Sequence, residues 1–561
     1  MKFKQFNKAI LLAITISLLA SCSLIKDLKY EVNPSPVEMH GDEITINING
    51  EFVEKGLNSK VLVELTPVLV NKKGEEMEFN MTAYKGEKAP GNATKVPKTG
   101  LKFKYTSSRK YDPAFDNAVL KVKYKVFKGS KMKKEGVTDS IAGATITTPL
   151  WLQNDDKVVL GKDNLIRSVN KTTKTVINYE KAKSFVSEDE VLDEDMIKFE
   201  VFLSSIKHNP KVVLKKMKIS SYASPEGSVE KNTTLAIERG ESANKYLGHV
   251  NTKLNSKITQ EMIEKAPKGE DWEGLKELIG KSNHEDKNII LRVAEMNSDP
   301  QQREDEIRAL ASTYKFIDED IFPKLRRSQL ILSYVVNGLT DDELKQQSLN
   351  PRKLNVEELL FTGNNLTQNM EAREKLYKEA IKKADDDWRG YNNAGAALYA
   401  QGKISEAKTM FEKAYQLEAN PVTSNNWGAM LRQDGKISEA EEMFAAAEGE
   451  DADYNMALVN IRKGNYSNAI SNMKGNTYNK ALAQVLNKDF ANGLTTLKNS
   501  EDNETARGNY LKAIIAQRTG DDKTTIIELK AAIYKDAKLK AKAMQDREFI
   551  KLFNNPDFIG M

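Results

Sequence analysis

Between Val37 and about residue 150, apolar and polar positions alternate. Ile44, Ile46 and Ile48 are separated by Thr45 and Asn47, while Leu101, Phe103 and Tyr105, and then Leu120, Val122, Tyr124 and Val126, are separated by lysines. A period of two sets one side of each strand on a core and the other in water. Gly, Pro and Asn turns punctuate the runs, so residues 37–150 read as a β-sandwich of immunoglobulin-like type.

Near residue 175 the period changes. TVINYEKAKS (175–184) is strand-like, and Leu192, Met196, Phe199, Leu203 and Ile206 then form a one-sided helical stripe. Ser187 is placed to cap that helix, Glu188, Asp189 and Glu190 suit its positive end, and Asn209-Pro210 stops it. VVLKKMKISS (212–221) returns to strand and runs into a Tyr222-to-Gly227 turn and a helix starting near Ser228. On that helix Ala236, Gly240, Ala243 and Leu247 make a stripe that can lie close on a sheet. Asn232, Leu235 and Arg239 adjoin it and aim at the turn. Farther on, GEDWEGLKELIG (269–280) and QQREDEIRALASTYKF (301–316) read as helices, and SQLILSYVV (328–336) as a strand.

The last third repeats itself. AGAALYAQGKISEAKTMFEKA (394–414) and WGAMLRQDGKISEAEEMFAAA (427–447) align at an offset of 33. Gly395 and Gly428 fall on the first helix and Gly402 and Gly435 at the turn. Ala407, Phe411, Ala414 and Ala440, Phe444, Ala447 fall on the second helix. These segments resemble tetratricopeptide repeats. Weaker copies at 464–473, 488–497 and 520–532, and a preceding helix pair near Val356, give about five units over 359–561, stacked as a solenoid. The resemblance implies a concave surface for an extended or helical segment of another protein.

The stretch 219–247 is similar to the signature of OmpA-like domains. Tyr222, Gly227, Asn232, Leu235 and Arg239 occupy the positions of its turn and helix, Tyr246-Leu247 close the helix, and Leu325-Arg326-Arg327 resembles the opening of the family's last strand. The resemblance implies non-covalent binding of peptidoglycan, with an acidic turn residue and the helix arginine bracketing the diaminopimelate of the stem peptide. Here Arg239 takes the arginine's place, Ser224 stands where the family has Asp, and Glu226 lies two residues on, a substitute contact for the ammonium. The alternative is an Arg239–Glu226 pair that holds the turn. The connection of about 248–325 is longer than in simple members and reads as a helical insertion.

The first residues belong to no core. Lys2, Lys4 and Lys8 precede the apolar run AILLAITISLLA (9–20), which has the length of a signal h-region. Leu19-Ala20-Ser21-Cys22 resembles the lipobox of bacterial lipoproteins, implying diacylglycerol on Cys22, the sole cysteine of the 561 residues. No acidic residue occupies 23–26, which by resemblance to sorting rules favours the outer membrane with the chain facing the periplasm. Removing the three lysines of residues 2, 4 and 8 takes the formal charge from +5 to +2, with both signs mixed along the chain. That gives no electrostatic footprint for nucleic acid.

The expected architecture is multidomain α+β. A signal peptide (1–21) and lipidated tether (22–36) precede the sandwich (37–150). An OmpA-like α/β sandwich with its insertion (151–340), a linker (341–358) and an all-α repeat solenoid (359–561) follow. Catalysis has little footing. His40, His208, His249 and His284 lie in different segments, no nucleophile elbow or dinucleotide fingerprint occurs, and GEDWEGLK has phosphate-loop spacing with Leu275 in place of the lysine. The expectation is a non-enzyme without cofactor or metal that anchors the outer membrane to peptidoglycan and recruits a protein. The rival is an assembly subunit of an envelope machine whose OmpA-like domain no longer binds the wall.

Overall fold

The computed structural model describes residues 24–26, 28–296 and 299–561. The signal peptide and Cys22 lie outside them. The chain forms two compact units, one of residues 24–162 with 367–561 and one of residues 163–366.

The first unit opens with strands β1 (Lys29–Val32), β2 (Val37–His40), β3 (Glu43–Phe52), β4 (Val61–Val70), β5 (Glu76–Glu78), β6 (Thr82–Gly86), β7 (Thr94–Val96), β8 (Leu101–Lys110), β9 (Val119–Lys128), β10 (Lys131–Val137) and β11 (Ala142–Ile146). The alternation does what it predicts. Ile44, Ile46 and Ile48 of β3, Val61, Val63 and Leu65 of β4, and Leu120, Val122 and Val126 of β9 share one core. The two halves are not separate sheets, however. β11 pairs with β2 in parallel and with β9 antiparallel, joining them into one path β1-β3-β2-β11-β9-β4-β6-β7. The expected tether is also partly core, because β1 pairs with β3 and Ile25 and Leu28 are buried.

The same unit carries the helical repeats. Their helices, together with those of the second unit, are numbered along the chain. In the second unit these are α1 (Glu188–Val191), α2 (Glu194–Ile206), α3 (Val229–Leu254), α4 (Trp272–Lys281), α5 (Lys287–Met296), α6 (Pro300–Ala309), α7 (Ala311–Phe316), α8 (Phe322–Leu325), α9 (Asp341–Gln347) and α10 (Val356–Phe361). In the first they are α11 (Met370–Lys383), α12 (Trp388–Ala400), α13 (Ile404–Leu417), α14 (Pro421–Gln433), α15 (Ile437–Ala445), α16 (Glu450–Arg462), α17 (Tyr466–Asn472), α18 (Tyr478–Leu486), α19 (Phe490–Lys498), α20 (Ala506–Thr519) and α21 (Asp522–Lys535). From α12 to α21 these are five successive helix pairs, each packed on the next, the all-helical repeat array that the 33-residue offset predicts. Gly395 and Gly428 are needed because a Cβ at either would come within 2.9 Å of the Phe411 or Phe444 ring that fills the groove between paired helices. The segment at Val356 is not a repeat pair. Its helix α10 and the expected linker helix α9 belong to the second unit.

The β-rich region and the repeats meet through polar and aromatic contacts. Arg462 pairs with Asp42 (2.8 Å), Arg518 bridges Glu38 (3.1 Å) and Glu548 (2.5 Å), and the Tyr466 hydroxyl accepts from the Gly41 N–H. Trp151 packs against Tyr510 with the rings tilted and their centroids 4.3 Å apart, and joins the core of the last repeats.

The second unit is a four-stranded sheet, β12 (Ser168–Asn178), β13 (Val212–Ala223), β14 (Ile263–Glu270) and β15 (Arg327–Asn337), in the order β12-β15-β13-β14. Helices α2 and α3 cover one face, where Met196, Phe199 and Leu203 meet Ala243, Leu247 and Val250. Three expectations are corrected. The helix after Ser187 is interrupted, because Asp193 caps a new start by accepting from the Asp195 N–H, which leaves Leu192 exposed. The stretch 301–316 bends at Leu310 into α6 and α7. The long insertion begins with a sheet strand, β14, paired in parallel with β13, before its helices form a core of their own around Leu275, Ile290 and Phe322.

The turns inside the repeats yield a test. Gly402, Gly435, Gly464 and Gly520 take φ between 75° and 83°, and the exposed Lys488 sits at the equivalent turn with φ 65°. A side chain there costs about 1–2 kcal/mol of left-handed strain, offset by about 0.5–1 kcal/mol of unfolded-chain entropy. Lys488→Gly should therefore stabilise the protein by about 0.5–1 kcal/mol in urea unfolding, while Gly435→Ala should destabilise it by a similar amount.

Candidate functional sites

Two sites follow from the sequence, and the structure builds both. The first is the junction of β13, the 222–227 turn and α3. Ser228 caps α3, accepting from the Lys231 N–H, and the small stripe holds the helix on the sheet: Ala236 and Ala243 are fully buried, and a Cβ on Gly240 would meet the Ser221 hydroxyl at 2.8 Å. Arg239 is thereby carried under the turn. It is 0% exposed, and its guanidinium donates to the backbone carbonyls of Tyr222 (2.9 Å), Lys183 (3.1 Å) and Glu180 (3.4 Å) while lying over the Tyr179 ring. Burial lowers its pKa to about 10, so it is a cation at neutral pH.

The rest of the predicted set gathers around it. Asn232 is buried and donates to the Gly227 carbonyl (3.1 Å) and to Glu270 (2.8 Å); Leu235 is half-buried on the neighbouring turn. Ser224 is buried, its hydroxyl 2.6 Å from Glu226. Glu226 does not take its charge partner from Arg239. Its carboxylate accepts from Arg326 at 2.8 and 3.2 Å and meets Lys181 at 2.8 Å. Burial opposes ionisation, but hydrogen bonds from Arg326, Lys181 and Ser224 outweigh it and lower the pKa to about 2. Tyr222 is half-buried under Arg327, which pairs with Asp271 (2.8 Å), itself the cap of α4. Arg326, Arg327, Asp271 and Lys181 were not singled out as site residues. The Arg326-Arg327 dipeptide at the start of the last strand was the visible signal.

The second site is the inner surface of the repeats, and it is occupied by this chain. Residues 153–161, expected to open the OmpA-like domain, instead run extended along α12, α14, α16 and α18. Each helix meets the strand with an asparagine amide. The N–H groups of Gly161, Val159, Lys157 and Gln153 donate to the Oδ1 atoms of Asn393, Asn426, Asn455 and Asn479 at 2.7–2.9 Å. The Nδ2 groups of the same asparagines return bonds to the carbonyls of those residues at 2.7–3.1 Å. Asn392 and Asn425 extend the ladder: Asn426 donates to Asn392 (2.8 Å) and Asn455 to Asn425 (2.9 Å). All six are at most 2% exposed.

Side chains add selectivity to this backbone reading. Asp156 is clamped by Arg432 through two bonds of 2.6 and 2.5 Å, both side chains 0% exposed, and by Gln433 at 3.0 Å. Asp155 accepts from Tyr454 (2.7 Å) and Asn479 (2.8 Å). Val158 and Leu160 pack on the core of the first repeats. The sequence held a sign of this: Asn392-Asn393 and Asn425-Asn426 recur at the 33-residue offset, just ahead of the aligned repeat segments.

No family model matches the chain, and no curated protein does so. Among solved structures, the chain is similar to a tetratricopeptide repeat protein from Parabacteroides merdae, with 14% identity, 44% of this chain and 98% of that one covered, and a TM-score of 0.29. For pilF of Pseudomonas aeruginosa the figures are 14%, 36%, 98% and 0.28, and for the Cut9–Hcn1 hetero-tetramer of APC/C they are 11%, 58%, 76% and 0.32. At such scores the likeness carries no functional weight, and the repeat array is defined by its own helix pairs. Among the described residues no helix is long and apolar enough to cross a membrane, and no cluster of three or more His, Cys, Asp and Glu side chains is arranged to hold a metal ion.

Two measurements check the junction. The folded Glu226 has a lower pKa than its ordinary value of 4.5, so the native state binds fewer protons than the unfolded chain and stability falls on acidification from about pH 4.5 to about 2. The loss is up to about 3 kcal/mol, and Glu226→Gln should flatten that segment of the thermal-stability profile. Arg239→Met leaves three carbonyls unmet and should cost about 2–4 kcal/mol in denaturant unfolding.

Proposed function

We propose that this chain is a non-catalytic scaffold of the bacterial envelope, held at the outer membrane by lipid on Cys22, facing the periplasm and built to engage a protein partner. The lipobox-like Leu19–Cys22 and the preceding apolar run support the anchor. Two compact units rich in repeats and sheet, without a catalytic constellation recognisable in the sequence, support the scaffold role.

The observation that favours this reading over a peptidoglycan tether is the state of Arg239. A carboxylate clamp needs a guanidinium that faces a ligand, and this one is enclosed and bonded to Tyr222, Lys183 and Glu180. Glu226, the group that would hold the ligand's ammonium, is neutralised by Arg326 and Lys181. The tether reading keeps one supporting fact: Tyr222, Ser224, Glu226, Asn232, Leu235 and Arg239 do converge at one junction.

Purified sacculi test the choice. Mature protein is expected to stay in the supernatant when sacculi are pelleted. Retention that a diaminopimelate-containing stem peptide competes away would replace the scaffold with the wall anchor. Separately, Cys22→Ser should move the protein from the outer-membrane fraction to the soluble periplasm; wild type found soluble would remove the lipid anchor from the proposal.

A further inference from the structure

The groove of the repeats is built to read a peptide. An extended chain offers alternate N–H and C=O pairs, and the buried asparagines answer them at every second residue over 157–161 and again at 153: Asn393 at 161, Asn426 at 159, Asn455 at 157 and Asn479 at 153. The period of two over 157–161 matches a β-conformation, in which every second residue turns the same way. Such contacts recognise extended backbone whatever its side chains. Among the side-chain contacts that then add specificity, the pair at Asp156 is the most enclosed, because Arg432 is fully buried and its fork-shaped guanidinium donates to the carboxylate in two-point geometry.

We infer that residues 153–161 are a built-in ligand filling an extended-peptide site in cis, and that the site, once vacated, takes an extended segment bearing an aspartate at the Arg432 position. Covalent attachment on both sides gives this segment an effective concentration on the order of millimolar or more. A free peptide therefore meets a closed groove in the native protein. The segment also leads directly from Trp151, which packs on Tyr510, so seating it fixes the end of the β-rich region on the last repeats.

The test uses the full mature chain and a fluorescent peptide spanning Gln153–Gly161. Wild type is expected to show no saturable binding. In D156A/K157P/V159P the resident segment loses its clamped carboxylate and two N–H donors, and the peptide should bind roughly tenfold or more tighter than to wild type. Adding Asn426→Ala should abolish the gain, and a peptide with Asn in place of Asp156 should bind roughly tenfold weaker. Equal binding to wild type and the triple variant, or a folded triple variant that ignores the peptide, overturns the inference. Hydrogen exchange on wild type provides a reading that needs no unlocked variant. The amides of Lys157, Val159 and Gly161 should exchange as slowly as those of α14, and Asn426→Ala should speed all three while α20 is unchanged. Exchange at free-peptide rates in wild type would equally refute it.

Discussion

An extended segment laid along helices has no neighbouring strand to satisfy it. The helix backbones have already paired their own N–H and C=O groups, so each backbone polar group that the segment turns into the groove must be met by side chains or be left at a cost of about 1–3 kcal/mol. Residues 153–161 solve this with asparagine, the shortest side chain that donates and accepts in the plane of a peptide. The first unit depends on this exchange. It ties α12, α14, α16 and α18 to one strand and places Trp151 where it joins the last repeats. The strand runs against the order of the repeats, from Gln153 on the fourth to Gly161 on the first, so one segment spans most of the array.

The same constraint governs the second unit in a different form. Arg239 is a buried charge, and carbonyls from two segments are turned inward to receive it. Moving a guanidinium out of water is expensive unless its hydrogen bonds are replaced, and here the replacements are the carbonyls of Tyr222, at the end of β13, and of Glu180 and Lys183, in the loop between β12 and α1. A second layer of ion pairs, Arg326 with Glu226 and Arg327 with Asp271, closes around it. Glu226 and Asp271 thus have cations and the buried Arg239 has carbonyls, while the Ser221 hydroxyl beside Gly240 is buried without a hydrogen-bond partner.

How much of this was legible in the residues follows from the range of each interaction. Periodicity is local, and it located β3, β8, β9, α3 and the repeat helices because their neighbours along the chain decide which face is apolar. The capping Ser187 and Ser228 were equally readable, since the cap bond spans three residues. Asp193 was missed because a second cap five residues after α1 begins looks, in sequence, like one more acidic residue on a helix. β11 was missed as the strand that joins the two halves of the sheet, since its partners β2 and β9 lie far apart in the chain. The extended 153–161 segment has no period of its own to reveal a partner more than 200 residues away. Its signature lay in the partner, as paired asparagines on a helical face where apolar residues were expected.

The two sites differ in what a partner would have to do. At the β13–α3 junction, a ligand carboxylate would have to compete with three backbone carbonyls for a guanidinium that cannot leave without exposing them, and nothing inside the junction would refill the space. In the repeats, an incoming extended segment would restore the backbone bonds that the resident one gives up, because the asparagines address backbone, and an aspartate in it would restore the pair with Arg432. Exchange there is close to balanced in enthalpy and is opposed mainly by the tether's effective concentration. Physical chemistry therefore makes the groove, rather than the arginine, the place where this molecule can change partners without unmaking its fold.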